Sequence, residues 1–188
     1  MKTIIFGLGN PGDEFNNTRH NYGRMCVEDY VQEHNLEWKN FQNCGKYAKF
    51  TQGDNEIFLL ISTSYYMNNS GELIKKFADY FDVPYDNIII LHDDMDFPIG
   101  SFKIRAKGSG GGHNGMKNVV LMLGTPDIKR IRLGIDRPKY DEKDYVIAKF
   151  KPQELPIIKQ TINEINNTIL PKWFSDGRFD LLMNLYNK

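Results

Sequence analysis

Two cysteines in 188 residues cannot make a disulfide framework. Cys26 and Cys44 lie 18 positions apart and fit neither a CxxC redox pair nor a zinc-ligand pattern. Both are expected to be reduced and structural. Long apolar runs are missing as well: stretches such as 57–61 and 88–91 fall far short of the about 18 residues that a membrane-spanning helix needs. Residues 1–12 carry one lysine and an apolar run broken by Gly7, Gly9 and Asn10, a poor signal-peptide core, so cytoplasmic residence is the expectation. Net charge is absent, since 24 basic and 24 acidic residues cancel. The chain also lacks the signatures of side-chain nucleophiles. There is no GxSxG elbow, no SxxK lysine and no cysteine in an activating context. Covalent acyl transfer to the protein is thereby disfavoured.

Against these absences, 40% of the residues are hydrophobic, enough for one core, and a single domain over residues 1–188 is expected. Apolar runs bounded by turn formers predict strands at 3–6, 47–51, 57–61, 87–91, 102–106 and 129–135. Gln52-Gly53-Asp54-Asn55 predicts a hairpin between the second and third. Helical spacing appears at Val27, Tyr30 and Val31, at 73–81, and at Val119, Val120 and Leu123 with Gly124 as C-terminal cap. A further helix is expected near Pro152, with Leu155, Ile158, Ile162, Ile165 and Ile169 as its stripe. Interleaved strands and helices make this an α/β chain with helices on both faces of a mixed sheet, and functional residues belong in loops at strand ends.

Charge is unevenly distributed. Residues 99–139 hold nine basic side chains against Asp127 and Asp136, a net of +7, so one face is expected to be basic. Counting alone does not separate a nucleic-acid surface from an ordinary solvated one.

Five segments offer chemistry. Gly7 to Gly12 formally matches the dinucleotide pattern GxGxxG after a strand. The stretch from Asp13 to Tyr22 lacks a helical period, and no second strand ending in an acid comes after it, so the glycines serve a sharp turn that presents Asn10. His20 lies in a polar stretch with no apolar stripe to bury it. Asp93, in His92-Asp93-Asp94-Met95-Asp96, follows a strand. Gly108 to Gly115 opens a helix and lacks the Lys-Ser/Thr of a phosphate-binding loop. Tyr65 to Gly71 joins a strand to a helix and supplies Asn68, with Ser70 as a helix cap. One histidine, one aspartate and the amides Asn10, Asn68 and Asn114, with no nucleophile beside them, suggest water activated by His20, with Asp93 fixing the imidazole tautomer. A metal-dependent phosphoesterase built on His92, Asp93, Asp94, Asp96 and His113 is the competing enzyme reading. No recognisable ligand spacing links those five.

Taken in order and spacing, FGLGNPGDEFNNTRHNYG, YYMNNSG, HDDMDFPIG, GSGGGHNG and RIRLGIDRP resemble the motifs of bacterial-type peptidyl-tRNA hydrolases, and the likeness spans almost the whole chain. The resemblance implies a three-layer α/β/α sandwich around a mixed, mostly parallel twisted sheet, acting on peptidyl-tRNA as a monomer without metal or cofactor. It implies His20 as general base, Asp93 as the stabiliser of its basic form, and Asn10 as the amide that reads the blocked amino group. It places Asn68 and Asn114 at the ester and water, with Tyr66 and Met67 lining the cleft. Lys103, Arg105, Arg130 and Arg132 become candidate phosphate contacts. Phe15 stands where the family usually has tyrosine, which keeps a ring and removes a hydroxyl. Some proteins similar to this family are RNA-binding splicing partners, so a binding module is the competing non-enzyme reading.

Overall fold

The computed structural model describes residues 1–187. Its strands are β1 (Lys2–Gly7), β2 (Lys39–Phe41), β3 (Gly45–Gln52), β4 (Asn55–Ser62), β5 (Ile88–Asp94), β6 (Phe102–Arg105) and β7 (Lys129–Gly134). They form one sheet in the order β2-β3-β4-β1-β5-β7-β6. The central β4-β1-β5-β7 ladder is parallel, and antiparallel pairings extend it at both edges. The hairpin at Gly53 forms as expected, with Gln52 opposite Asn55.

The helices are α1 (Tyr22–Glu33), α2 (Ser70–Phe81), α3 (Asn114–Leu123), α4 (Glu142–Ile147), α5 (Leu155–Glu164), α6 (Leu170–Asp176) and α7 (Phe179–Tyr186). Because side chains alternate across a strand, the central strands are apolar on both faces and feed two cores. Ile5, Leu59, Ile89, Leu91 and Ile131 pack with α1, α5 and α6. Ile4, Phe6, Phe58, Leu60 and Ile90 pack with Leu73, Phe77, Met116 and Val119 of α2 and α3. Each such side chain, fully removed from water, contributes about 1.5–3 kcal/mol. The layering is therefore α/β/α.

Several local expectations shift. The helix expected near Pro152 starts at Leu155 with Pro156 in its first turn. Its apolar stripe runs on through a π-helical turn (Ile165–Ile169), where Pro171 has no N–H to return to the carbonyl four residues back. Gly124 caps α3 in the left-handed region at φ 71°. Ser70 does not cap α2: its hydroxyl donates to the Met67 carbonyl at 2.7 Å. Strand β2 and helices α4, α6 and α7 have no counterpart among the expected elements. At the outer edge, Asn187 brackets Ile104 of β6, accepting its N–H at 2.7 Å and donating to its carbonyl at 2.7 Å.

Two glycines let a helix start directly on the sheet. A Cβ at Gly23, in the first turn of α1, would lie 1.9 Å from the Leu91 carbonyl oxygen, and one at Gly7 would lie 2.3 Å from the Gly23 oxygen. With both bare, α1 begins over the ends of β1 and β5. The Leu8 carbonyl then accepts the Arg24 N–H at 3.0 Å, and the Leu91 carbonyl accepts the Leu8 N–H at 3.0 Å. The glycines after β1 thus serve helix-on-strand contact rather than a nucleotide cradle. Gly23→Ala forces α1 outward at a cost of about 3 kcal/mol, which for a domain of this size lowers Tm by roughly 6–12 °C. Thermal unfolding followed by circular dichroism checks this, and an unchanged Tm would show that the contact relaxes freely.

Candidate active site

The approach of α1 to β5 delivers His20 to Asp93. His20 sits in a single 3-10 turn (Arg19–Asn21) that leads into α1, and Asp93 is the penultimate residue of β5. The turn is fixed from behind. Arg19 N–H donates to Ala148 O at 3.1 Å, Phe150 N–H to Asn17 O at 2.9 Å, and the buried Arg19 guanidinium lies 4.1 Å above the Tyr145 ring. Held in this way, His20 Nδ1 stands 3.0 Å from Asp93 Oδ2 and 3.1 Å from Oδ1. With Nδ1–H donating to the carboxylate, Nε2 keeps its lone pair.

A second imidazole shares the same carboxylate. His113 Nε2 lies 3.0 Å from Asp93 Oδ1, while its Nδ1 accepts the Met116 N–H at 3.2 Å and so caps α3. An Nδ1 that accepts requires the neutral ring to carry its proton on Nε2, so His113 is a donor to Asp93. The two rings stand 4.7 Å apart. From sequence His113 reads only as a metal ligand, and its position just before a helix-opening asparagine is the one available sign of a cap.

Electrostatics follow from this arrangement. Burial opposes charge on Asp93, yet attraction to His20 and His113 and the hydrogen bonds from both rings outweigh it, holding the carboxyl well below the usual carboxylate range. Burial likewise disfavours a charged His20, but the Asp93 charge and hydrogen bond prevail and raise its pKa above the ordinary value. His92, fully buried, donates from Nδ1 to the Asp93 carbonyl at 2.8 Å. Burial, reinforced by His113, pushes its pKa well down, so it is neutral.

The sequence-derived residues gather unequally. His20, Asp93, Asn114, Arg105, Arg130 and Arg132 line one cavity of about 540 Å³, together with the glycine loop. Asn10 is not among the residues lining it, and its Oδ1 accepts the Met67 N–H at 2.7 Å. Met67 is expected to line the cleft with its side chain. That side chain is instead buried and packed in the α2/α3 core, leaving its main-chain N–H as the contact toward the site. Tyr66 is exposed and meets Phe15 edge to face at 6.1 Å between ring centres. Asn68 is exposed on the same loop.

Lys103 pairs across the sheet with Arg132, and Arg105 with Arg130, so all four share one face as expected. Arg130 nonetheless differs from an open phosphate contact. It is 3% exposed, and its guanidinium donates to the carbonyls of Ile128, Ser109, Gly108 and Pro126 at 2.8–3.1 Å. It is the strut of the glycine loop, and burial, with the Arg132 charge nearby, lowers its pKa to about 10. Arg132 Nε is paired to Asp94 at 2.7 Å, Arg105 is exposed, and Lys103 is not among the residues lining the cavity.

The metal reading finds little support in this arrangement. Asp94 is committed to Arg132, and Asp96 to Arg132 and Arg137. Among the described residues His20, Asp93 and His113 do bring donor atoms within 4.8 Å of one another. Ligation through His113 Nε2 would, however, put the proton on Nδ1 and break the cap on α3.

Fold and site together seat a histidine on a buried carboxylate, beside a cavity lined by Asn114 and several basic side chains, with no hydroxyl or thiol paired to the imidazole among the described residues. A sequence model of the family described as peptidyl-tRNA hydrolase matches residues 4–188, and the chain belongs to that family. Relatives named peptidyl-tRNA hydrolase include one from Oceanobacillus iheyensis, 38% identical over the whole of both chains, and one from Malacoplasma penetrans, 34% identical over 99% of this chain and 98% of the other. The crystal structure of peptidyl-tRNA hydrolase from Acinetobacter baumannii superposes with a TM-score of 0.89 at 29% identity, over 98% of this chain and 94% of that one. An Arabidopsis thaliana 5'-methylthioadenosine nucleosidase shares the fold alone, at 8% identity and a TM-score of 0.58.

The Asp93 charge is the cause of the raised His20 pKa, so its removal has a definite sign. In wild type the Asp93 charge and hydrogen bond hold the His20 pKa above the ordinary histidine value. Asp93→Asn leaves burial unopposed and moves the titration below that of wild type, which NMR of the His20 Cε1–H signal measures. A titration that stays in place would remove Asp93 as the controlling charge.

Proposed function

We propose that this protein hydrolyses the ester linking a peptide, or an N-blocked aminoacyl group, to tRNA. The observation that carries the proposal is the His20–Asp93 pair in a chain of this family, with no side-chain nucleophile beside it among the described residues. Neutral His20 takes a proton from water at Nε2 as the oxygen attacks the ester carbonyl carbon. Asp93, held ionised, stabilises the imidazolium that forms and keeps Nδ1 protonated, so the lone pair always faces the reaction. The tetrahedral intermediate collapses by expelling the ribose oxygen, which recovers the proton from His20. General-base help of this kind is worth about 10² to 10⁴ in rate, which suits an activated ester better than an amide.

The amides divide the remaining work. Asn68 and Asn114 donate to the developing oxyanion and hold the water. Asn10, with Oδ1 taken by the Met67 N–H, has Nδ2–H groups to offer, which suit the carbonyl oxygen of a blocked amino group. An unblocked aminoacyl ester carries an ammonium there and supplies no acceptor. Phe15 and Tyr66 offer ring faces for stacking. Arg105, Arg132 and Lys103 contact phosphates on the sheet face, and Arg130 holds the loop that carries His113 and Asn114. A binding-only role leaves the pairing of His20 with Asp93 without a task. The protein works as a cytoplasmic monomer in this reading, and the two buried free thiols fit a reducing compartment.

His20→Ala is expected to reduce release of N-acetyl-aminoacyl groups from tRNA by at least about 10²-fold while leaving tRNA affinity within about twofold. Full turnover in that variant would refute the assigned base. The basic residues separate by salt response. Arg105→Ala raises KM and lowers the log–log salt slope by about 1, as one phosphate contact releases its counterion. Arg130→Ala lowers kcat and Tm and leaves the slope unchanged, because its donors serve the loop.

A further inference from the structure

Asn21 follows the base directly and is 1% exposed, yet no step of the proposed reaction uses it. Its side chain reaches back eleven residues and brackets the main chain of Asn10. The Asn10 N–H donates to Asn21 Oδ1 at 2.8 Å, and Asn21 Nδ2 donates to the Asn10 carbonyl at 3.0 Å. Two bonds to one residue fix both position and rotation, as a neighbouring strand does. The bracket is itself held, since the Asn21 N–H donates to Thr18 O at 3.0 Å. A Cβ at Gly9 would meet Asn21 Cγ at 3.0 Å, so the loop lies against this amide. A continuous path of hydrogen bonds and chain therefore runs from Met67 through Asn10 and Asn21 to His20 and Asp93.

We propose that Asn21 is a positioning and specificity-determining residue: it sets the separation and orientation of the base, His20, relative to the amide that reads the blocked amino group, Asn10. The proposal rests on the roles assigned to those two residues under the proposed function. Removing the bracket leaves a buried N–H and a buried carbonyl unpaired, which is unfavourable enough that the Asn10 loop shifts to recover partners. Its Nδ2 then no longer meets a blocked amino group while the ester carbon sits over His20. The base keeps its own partner, so its titration is untouched.

The test measures kcat and KM on N-acetyl-aminoacyl-tRNA and on the unblocked aminoacyl-tRNA, across pH, for wild type, Asn21→Ala and Asn21→Asp. The aspartate keeps the acceptor for the Asn10 N–H and turns the donor to its carbonyl into repulsion, which gives a near-isosteric second variant should the alanine fail to fold. The expected result is that kcat on the blocked substrate falls by about tenfold or more, with KM within about threefold. The ratio of blocked to unblocked kcat/KM should shrink by about tenfold, while in Asn21→Ala, which adds no charge beside His20, the acid limb of the pH profile stays in place. A loss shared equally by both substrates, or no loss, overturns the proposal by reducing Asn21 to a fold contact. Wild-type inactivity on the blocked substrate instead overturns the functional reading itself and is seen before any variant is made.

Discussion

One buried carboxylate organises the site. Asp93 receives hydrogen bonds from His20 and from His113, and its charge survives burial only because both rings face it. An isolated ion in that place would neutralise itself. With two donors it stays ionised, and the consequences spread outward: the His20 tautomer is set, its basicity is raised, and the start of α3 is tied to β5 through the cap on the other side of His113. Asn114 begins that helix, so an amide at the cavity wall is placed by the same carboxylate that tunes His20.

The scaffold makes this meeting possible at the carboxyl ends of parallel strands. β1 and β5 are adjacent and paired in register, and α1 crosses them at a distance that only glycine permits. The rest of the sheet supplies the walls. β7 brings Arg130 beneath the glycine loop and Arg132 to the cavity, while Tyr66 and Asn68, exposed in the turn after β4, lie outside its lining. A rigid two-faced core holds these ends still, so short loops suffice to carry reacting groups.

Much of this is readable from the chain. The unbroken apolar runs at 57–61 and 88–91 mark central strands, because a strand covered on both faces has no position left for a polar side chain. Asp93 and His20 are legible as strand-end and loop residues of matching chemistry. β2 escapes because Lys39, Asn40 and Phe41 form a three-residue edge strand with no alternation to detect. Helix α4 escapes because its sequence, EKDYVI, has less than two turns and buries only Tyr145 rather than a stripe. The partial burial of the basic set is also out of reach: the sequence shows that Arg130 and Arg132 alternate with apolar residues, but only the fold shows which guanidinium meets loop carbonyls. The His113 cap and the Asn21 bracket share a related cause, since both engage main-chain groups whose positions no side-chain pattern reveals.

The Asn187 amide that closes on Ile104 has a bearing beyond local stability. β6 is the last strand of the sheet, and an unsatisfied outer strand is a template on which another chain can add. By taking up both main-chain groups of one residue, a single side chain ends the ladder without lengthening it. At Ile104 the outer edge of the sheet therefore offers neither donor nor acceptor to an added strand.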